Sequence, residues 1–144
     1  MRIKRVYFFD AAHVLVGYSG KCANLHGHTY RVEVELDGEI SRLSVPRPYR
    51  FMVLDFHDVD AVVKPIIEEL DHALLLGSGE GYDRIAEALE PFKFKIVRIH
   101  PDPTAEMIAL WLDARIEQGL RRLPVKLRSV TVYETDRAGA ICDD

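Results

Sequence analysis

The stretch HTYRVEVEL, residues 28–36, alternates apolar and polar side chains and decides the fold class. One face begins at His28 and ends at Leu36 through Tyr30 and two valines, whereas the other face carries threonine, arginine and glutamate. A period of two residues is that of a β-strand with one face buried and the other in solvent. The stretch therefore predicts a half-buried strand.

The segments around this strand predict an α+β domain. Further strands are expected at 2–9, 52–56, 94–99 and 125–134. Helices are expected from Asp58 to about Leu70 and from Asp102-Pro103 to about Leu120, and the Gly-rich segment 77–91 is mildly helical. In both main helices apolar residues recur at a helical period behind a capping carboxylate. We expect one domain over residues 1–144, with two main helices on one face of an antiparallel sheet.

The composition is that of an ordinary globular protein. Hydrophobic residues make up 48% of the 144-residue chain and charged residues 29%, which excludes a disordered or collagen-like chain. The net charge is -4 and no basic stripe occurs, so we expect no nucleic-acid partner. The longest apolar runs are too short to cross a membrane, and the N-terminus lacks the apolar core of a signal peptide. With only two cysteines, we expect a cytoplasmic protein without a disulfide framework.

Three histidines form the first candidate site. His26 and His28 lie two residues apart, so their side chains point the same way on an extended backbone. His13 follows the first predicted strand, and it reaches the same point if the two strands pair. Three imidazoles suit zinc, and three protein ligands leave a fourth coordination position open, as in catalytic zinc sites.

Cys22 has two possible roles beside these histidines. As a fourth ligand it would close a structural zinc site. If it is free near the metal, the neighbouring positive charge favours the reactive thiolate form. The spacing is compatible with both roles. For Cys142, near the end of the chain, we expect no catalytic role.

Asp71, His72 and Glu134 are the other candidates. Adjacent Asp71 and His72 form either an acid/base relay, in which the carboxylate orients the imidazole, or a solvated helix end. Glu134 ends an apolar strand. It either marks the point where the strand leaves the core or anchors a cationic or amide-like ligand.

Six motifs together resemble the 6-pyruvoyltetrahydropterin synthase and 6-carboxytetrahydropterin synthase family. They are FDAAH at 9–13, KCANLHGH at 21–28, VLDF at 53–56, LDH at 70–72, PTAE at 103–106 and YET at 133–135. The three residues between the cysteine and HGH resemble the 6-carboxytetrahydropterin branch. Two features depart from the compact bacterial members: about thirty residues separate His72 from Pro103, and Leu76 and Met107 stand where many relatives carry asparagine.

The resemblance implies a role for each candidate. His13, His26 and His28 bind Zn²⁺, and Cys22 is the proton acceptor. Asp71 and His72 form the relay. Glu134 anchors the pterin ring and is also a catalytic candidate that joins the relay, and Thr104 lines the pterin pocket. The implied architecture is the tunnelling fold, in which the subunits of a homo-oligomer pool their sheets into a β-barrel and the active sites form at subunit interfaces.

The implied reaction is that of a 6-carboxy-5,6,7,8-tetrahydropterin synthase. It converts 7,8-dihydroneopterin triphosphate to 6-carboxytetrahydropterin, acetaldehyde and triphosphate, in a queuosine-type deazapurine pathway. Two alternatives stay open from the sequence. One is a 6-pyruvoyltetrahydropterin synthase, which eliminates triphosphate without cleaving the side chain, and the other is a non-catalytic zinc-stabilised module.

Overall fold

The structure is a computed structural model that describes residues 1–41 and 51–143. The polar loop expected around Pro46 and Pro48 lies outside the described residues. The strands are β1 (Arg2–His13), β2 (His26–Gly38), β3 (Ala73–Leu76), β4 (Ile96–Arg98), β5 (Val125–Thr135) and β6 (Ala138–Asp143). The helices are α1 (Phe56–Leu70), α2 (Glu80–Leu89) and α3 (Ala105–Leu120).

The six strands form one mixed sheet in the order β4-β3-β1-β2-β5-β6. The pairs β1/β2, β2/β5 and β5/β6 are antiparallel, whereas β1/β3 and β3/β4 are parallel. The predicted α+β class is confirmed, but the sheet is not antiparallel throughout. Parallel pairing requires a crossover connection, and α1 and α2 provide the connections that lead into β3 and β4.

The core lies between one face of the sheet and the helices α1 and α3. The alternation predicted for β2 is confirmed, since Tyr30, Val32, Val34 and Leu36 are all buried. The apolar stripe of α1, from Val59 to Leu70, packs into the same cluster. None of the described helices covers the other face of the sheet, where Phe8 on β1 is 60% exposed.

Both main helices begin at residues other than those predicted. In α1 the cap is Asp55, whose carboxylate accepts the His57 N–H at 2.8 Å, so the helix starts before Asp58. The predicted strand at 52–56 is therefore absent, although Val53 and Leu54 are buried. The helix continues through Pro65, which is exposed.

Helix α3 is capped by Thr104 rather than by Asp102. The Thr104 hydroxyl accepts the Met107 N–H at 3.3 Å, and the helix starts at Ala105. Asp102 instead accepts a hydrogen bond from the Tyr82 hydroxyl at 2.6 Å. The sequence predicted Asp102 as the cap because a carboxylate before a proline is typical of a helix start. In the structure, that carboxylate is engaged by Tyr82 of α2 instead.

The segment 77–101 forms α2 and the edge strand β4. Two strands were not expected: β3, in which the unusual Leu76 is fully buried, and β6, which was expected as a short tail. Of the described residues, no helix is long and apolar enough to span a bilayer.

Candidate functional site

Strand pairing brings the three histidines together. In the antiparallel pair β1/β2, His13 lies opposite His26 at the last register position, and His28 lies two residues further along β2. One potential ligand atom from each of these histidines lies within 4.8 Å of the others. Gly27 permits this approach, because a Cβ atom there would lie 2.9 Å from the Ala11 carbonyl oxygen.

Backbone carbonyls orient two of the three rings. His13 Nδ1 lies 2.7 Å from the Pro103 carbonyl oxygen, and His26 Nδ1 lies 2.7 Å from that of Asn24. Because a carbonyl only accepts, both Nδ1 atoms carry the proton, and each Nε2 is left with a lone pair. These two Nε2 atoms are 3.1 Å apart. Facing lone pairs repel each other unless a cation lies between them.

The third ring has a buried nitrogen to satisfy. His28 Nε2 is buried and has no hydrogen-bond partner among the described residues. Burial lowers the pKa of His28, and His13 and His26 lower it further against the opposing effect of Glu134. The neutral imidazole is the form that binds metal. The donor set therefore fits a divalent metal that prefers nitrogen ligands, such as zinc.

Cys22 lies outside this group in the part of the chain that the structure describes. Its sulfur is not one of the clustered ligand atoms. The residue is half-buried in a short 3₁₀ turn, Lys21–Ala23, where its carbonyl accepts the Leu15 N–H at 2.9 Å. The thiol is not in a disulfide. This geometry favours a free cysteine over a fourth ligand.

Glu134 lies close to His28 and Tyr30. It directly follows Tyr133, which pairs with Arg31 at the end of the β2/β5 register, and its carboxylate raises the pKa of His28 against the effect of burial. Burial raises the pKa of the Tyr30 hydroxyl well above its usual range, and the nearby Glu134 carboxylate and Cys22 thiol raise it further. The structure thus brings Glu134 and Cys22 close to the aromatic ring that packs on His28.

Asp71 and His72 form a hydrogen-bonded dyad. His72 Nδ1 lies 2.8 Å from Asp71 Oδ2, and the other carboxylate oxygen, Oδ1, accepts the Asp10 N–H at 2.9 Å. The Asp10 N–H lowers the pKa of Asp71; burial opposes this, and the neighbouring His72 and Lys95 lower the pKa further. His72 itself has a left-handed backbone, with φ of 56°, and its N–H donates to the Asp10 carbonyl at 2.6 Å.

The dyad is not joined to the three histidines within one chain. The His72 side chain is 77% exposed, whereas the whole His13 residue is 1% exposed. No hydrogen bond or ring contact connects His72 to the clustered rings among residues 1–41 and 51–143. His72 lines an open groove of about 600 Å³ together with Leu74 and Lys95, and His28 of the histidine group lines the same groove.

Comparison with known proteins places this architecture in a family. A family model described as 6-pyruvoyl tetrahydropterin synthase matches residues 2–144. The chain belongs to this family. The resemblance drawn from the six motifs is therefore confirmed.

Relatives in the family carry more than one name. A curated protein of Haemophilus influenzae, named 6-carboxy-5,6,7,8-tetrahydropterin synthase, is 33% identical over 136 residues, covering 93% of this chain and 92% of that protein. A Pyrococcus furiosus protein named dihydroneopterin monophosphate aldolase is 30% identical over 131 residues, covering 91% and 87%. The solved structure of Caenorhabditis elegans 6-pyruvoyl tetrahydropterin synthase matches this chain with a TM-score of 0.70 at 24% identity. The match covers 100% of this chain and 95% of that chain, so the two share the fold.

The structure adds residues to this synthase site that the sequence analysis missed. The carbonyls of Asn24 and Pro103 orient two rings of the candidate metal site, but backbone acceptors leave no sequence signal. Tyr30 is fully buried, and its hydroxyl has no partner among the described residues. Its place two residues after His28 on the alternating face could have indicated a residue of the pocket.

Proposed function

We propose that this member of the 6-pyruvoyl tetrahydropterin synthase family is a zinc-dependent 6-carboxy-5,6,7,8-tetrahydropterin synthase. Its substrate is 7,8-dihydroneopterin triphosphate, and its products are 6-carboxytetrahydropterin, acetaldehyde and triphosphate, in a cytoplasmic, queuosine-type pathway. The observation that supports this best is the group of three imidazoles. Backbone carbonyls hold the far Nδ1 atoms of His13 and His26 protonated, His28 Nε2 is buried without a partner, and no thiol or carboxylate of the described residues joins the group.

His13, His26 and His28 hold the zinc ion in this proposal. When bound, zinc supplies Lewis acidity that polarises the oxygens of the substrate side chain. The carbonyls bonded to the far side of His13 and His26 keep both rings in the tautomer that presents Nε2. Since Cys22 lies outside the group, none of the described residues supplies a fourth ligand.

Cys22 and Glu134 both act on the substrate in this proposal. Cys22 accepts the side-chain proton, and a half-buried, unligated thiol suits that task. Glu134 accepts two hydrogen bonds from the guanidine-like edge of the pterin ring, which gives strong and directional recognition. Thr104 lines the pterin pocket, although its hydroxyl also caps α3.

His72 returns a proton to the substrate, and Asp71 orients it. With Nδ1–H donated to Asp71, the Nε2 atom of His72 is left to exchange a proton. The dyad is exposed and makes no hydrogen bond or ring contact with the histidine group among the described residues, and we propose that it serves the site of a neighbouring subunit in a homo-oligomer. Closing the sheets of several copies into a barrel also buries the exposed Val6 and Phe8.

The test is a product analysis with zinc-loaded protein. We expect 6-carboxytetrahydropterin and acetaldehyde in equal amounts from 7,8-dihydroneopterin triphosphate, detected by mass spectrometry, and no activity after chelation. A 6-pyruvoyl product without acetaldehyde would identify the other synthase. Turnover of the monophosphate alone would identify an aldolase of the kind named in the Pyrococcus relative. A zinc-bound protein inert to all substrates would be the non-catalytic module.

Subunit mixing tests the shared active site. His13→Ala and His72→Ala subunits are each expected to be inactive when alone. Co-refolded at equal ratio, they form hybrid interfaces in which an intact histidine group meets an intact dyad, so activity returns. If mixtures stay inactive although hybrids form, the dyad and the metal site of the same chain act together and the interface proposal is wrong.

A further inference from the structure

The long segment 77–101 reaches the proposed relay through one side chain. Lys95 directly precedes β4, and its carbonyl accepts the Leu74 N–H at 2.9 Å, which fixes it beside β3. Its ammonium group donates to the Glu68 carbonyl at 2.6 Å and to the Asp71 carbonyl at 2.8 Å. Helix α1 ends at Leu70, so both acceptors belong to its C-terminal end.

A cation at this place has a physical reason. The last carbonyls of a helix have no partner within the helix, and they form the negative end of its dipole. The last turn of α1 contains no basic residue that could neutralise this negative end. Lys95 therefore supplies both the missing donors and the favourable charge from a neighbouring segment.

The clamped peptide carries the dyad. Asp71 is held at its carbonyl by Lys95 and at its carboxylate by the Asp10 N–H. The next residue, His72, has the unfavourable φ of 56°, which persists only where surrounding contacts hold it. Without the Lys95 contact, the peptide that joins α1 to β3 loses one of its fixed points, and the Asp71 carboxylate can turn away from the imidazole.

We propose that Lys95 is a positioning residue that holds the Asp71–His72 dyad in its productive geometry. The proposal rests on the proposed function, since it assigns a purpose to the dyad. Lys95 lies in segment 77–101, so this segment contributes to holding the dyad although it contains neither of its two residues.

The test compares three variants in the full-length, zinc-loaded protein. Lys95→Met removes the donors, Lys95→Arg retains a cation with several donors, and Lys93→Met removes an equal charge two residues away. We expect Lys95→Met to lower kcat about tenfold, since small misplacements of a catalytic group are costly, with KM changed less than about twofold. Lys95→Arg should recover most of kcat, and Lys93→Met should match wild type.

A second measurement does not depend on activity. Nitrogen-15 NMR of the His72 ring reports whether Nδ1 remains hydrogen-bonded to Asp71. We expect its signal to shift in Lys95→Met and to stay in place in Lys93→Met. If the wild type makes no pterin product, the proposed function fails while the NMR comparison still decides the role of Lys95. An unchanged His72 signal, or a kcat equal to wild type in an active Lys95→Met protein, would overturn the proposal.

Discussion

Replacing His28 by leucine should separate metal binding from folding. In the metal-free protein, the buried Nε2 of His28 has no partner among the described residues. A buried polar atom left unpaired costs about 1–3 kcal/mol, and the lower end applies because the residue is only half-buried. Leucine removes that cost while keeping apolar contact with the Tyr30 ring, whose centroid lies 5.4 Å from that of His28. We expect the metal-free His28→Leu protein to be more stable by about 1 kcal/mol, or about 3–4 °C in Tm.

His26→Leu is the matched control. His26 donates its Nδ1–H to the Asn24 carbonyl at 2.7 Å, so its replacement loses a hydrogen bond worth about 0.5–1.5 kcal/mol. Relief of the lone-pair repulsion between His13 Nε2 and His26 Nε2 offsets part of this loss, so calorimetry after chelation, at one protein concentration, should give a higher Tm for His28→Leu than for His26→Leu. Metal analysis after zinc reloading should show sharply reduced zinc in both variants. Equal destabilisation of the two metal-free variants, or full zinc content in His28→Leu, would refute this account of the Nε2 atom.

Three further changes test the remaining groups. Cys22→Ala should keep its zinc and lose turnover by about 10²–10⁴, the usual contribution of a positioned base; a zinc-free product would show a ligand instead. Glu134→Gln should weaken a non-reactive pterin by about 1.5–3 kcal/mol in calorimetry with zinc content unchanged, and equal affinity would move Glu134 out of the pocket. Burial raises the pKa of Asp60, but hydrogen bonds from Arg5, Lys64 and Tyr7 bring it down to about 2. Stability should therefore fall as the pH drops from about 4 towards 2, and Asp60→Asn should lose that part of the pH dependence of Tm.

The strands and helices predicted most accurately are those in which apolar residues recur with a regular period, because one face of the element is buried. Strand β2 was expected over 28–36 and spans His26–Gly38. It could be predicted because buried residues alternate with partly exposed ones along it. The four-residue strand β3 left no such signal, since it is too short for a period to appear. It exists because α1 returns the chain to the free edge of β1, which is a property of the whole fold.

The same limit applies to the site. The spacing of His26 and His28 was sufficient to predict two converging rings, and the pairing of β1 with β2 added His13 as expected. The sequence could not show which ring nitrogen would carry the proton, because the acceptors are backbone carbonyls at Asn24 and Pro103. Nor could it show that, among the described residues, the Asp71–His72 dyad lines a groove with His28 but makes no hydrogen bond or ring contact with the three rings.

The segment 77–101 supports both parts of the proposed site. At one end, Tyr82 of α2 donates to Asp102 at 2.6 Å and accepts the Val16 N–H at 3.2 Å, so it ties the loop after β1 to the start of α3. The next residue after Asp102 is Pro103, whose carbonyl orients His13. At the other end, Lys95 holds the carbonyl of Asp71. A segment that only completed the edge of the sheet would need neither the Tyr82 nor the Lys95 hydrogen bonds. These contacts are better explained by the exact side-chain positions that the histidine group and the dyad each require.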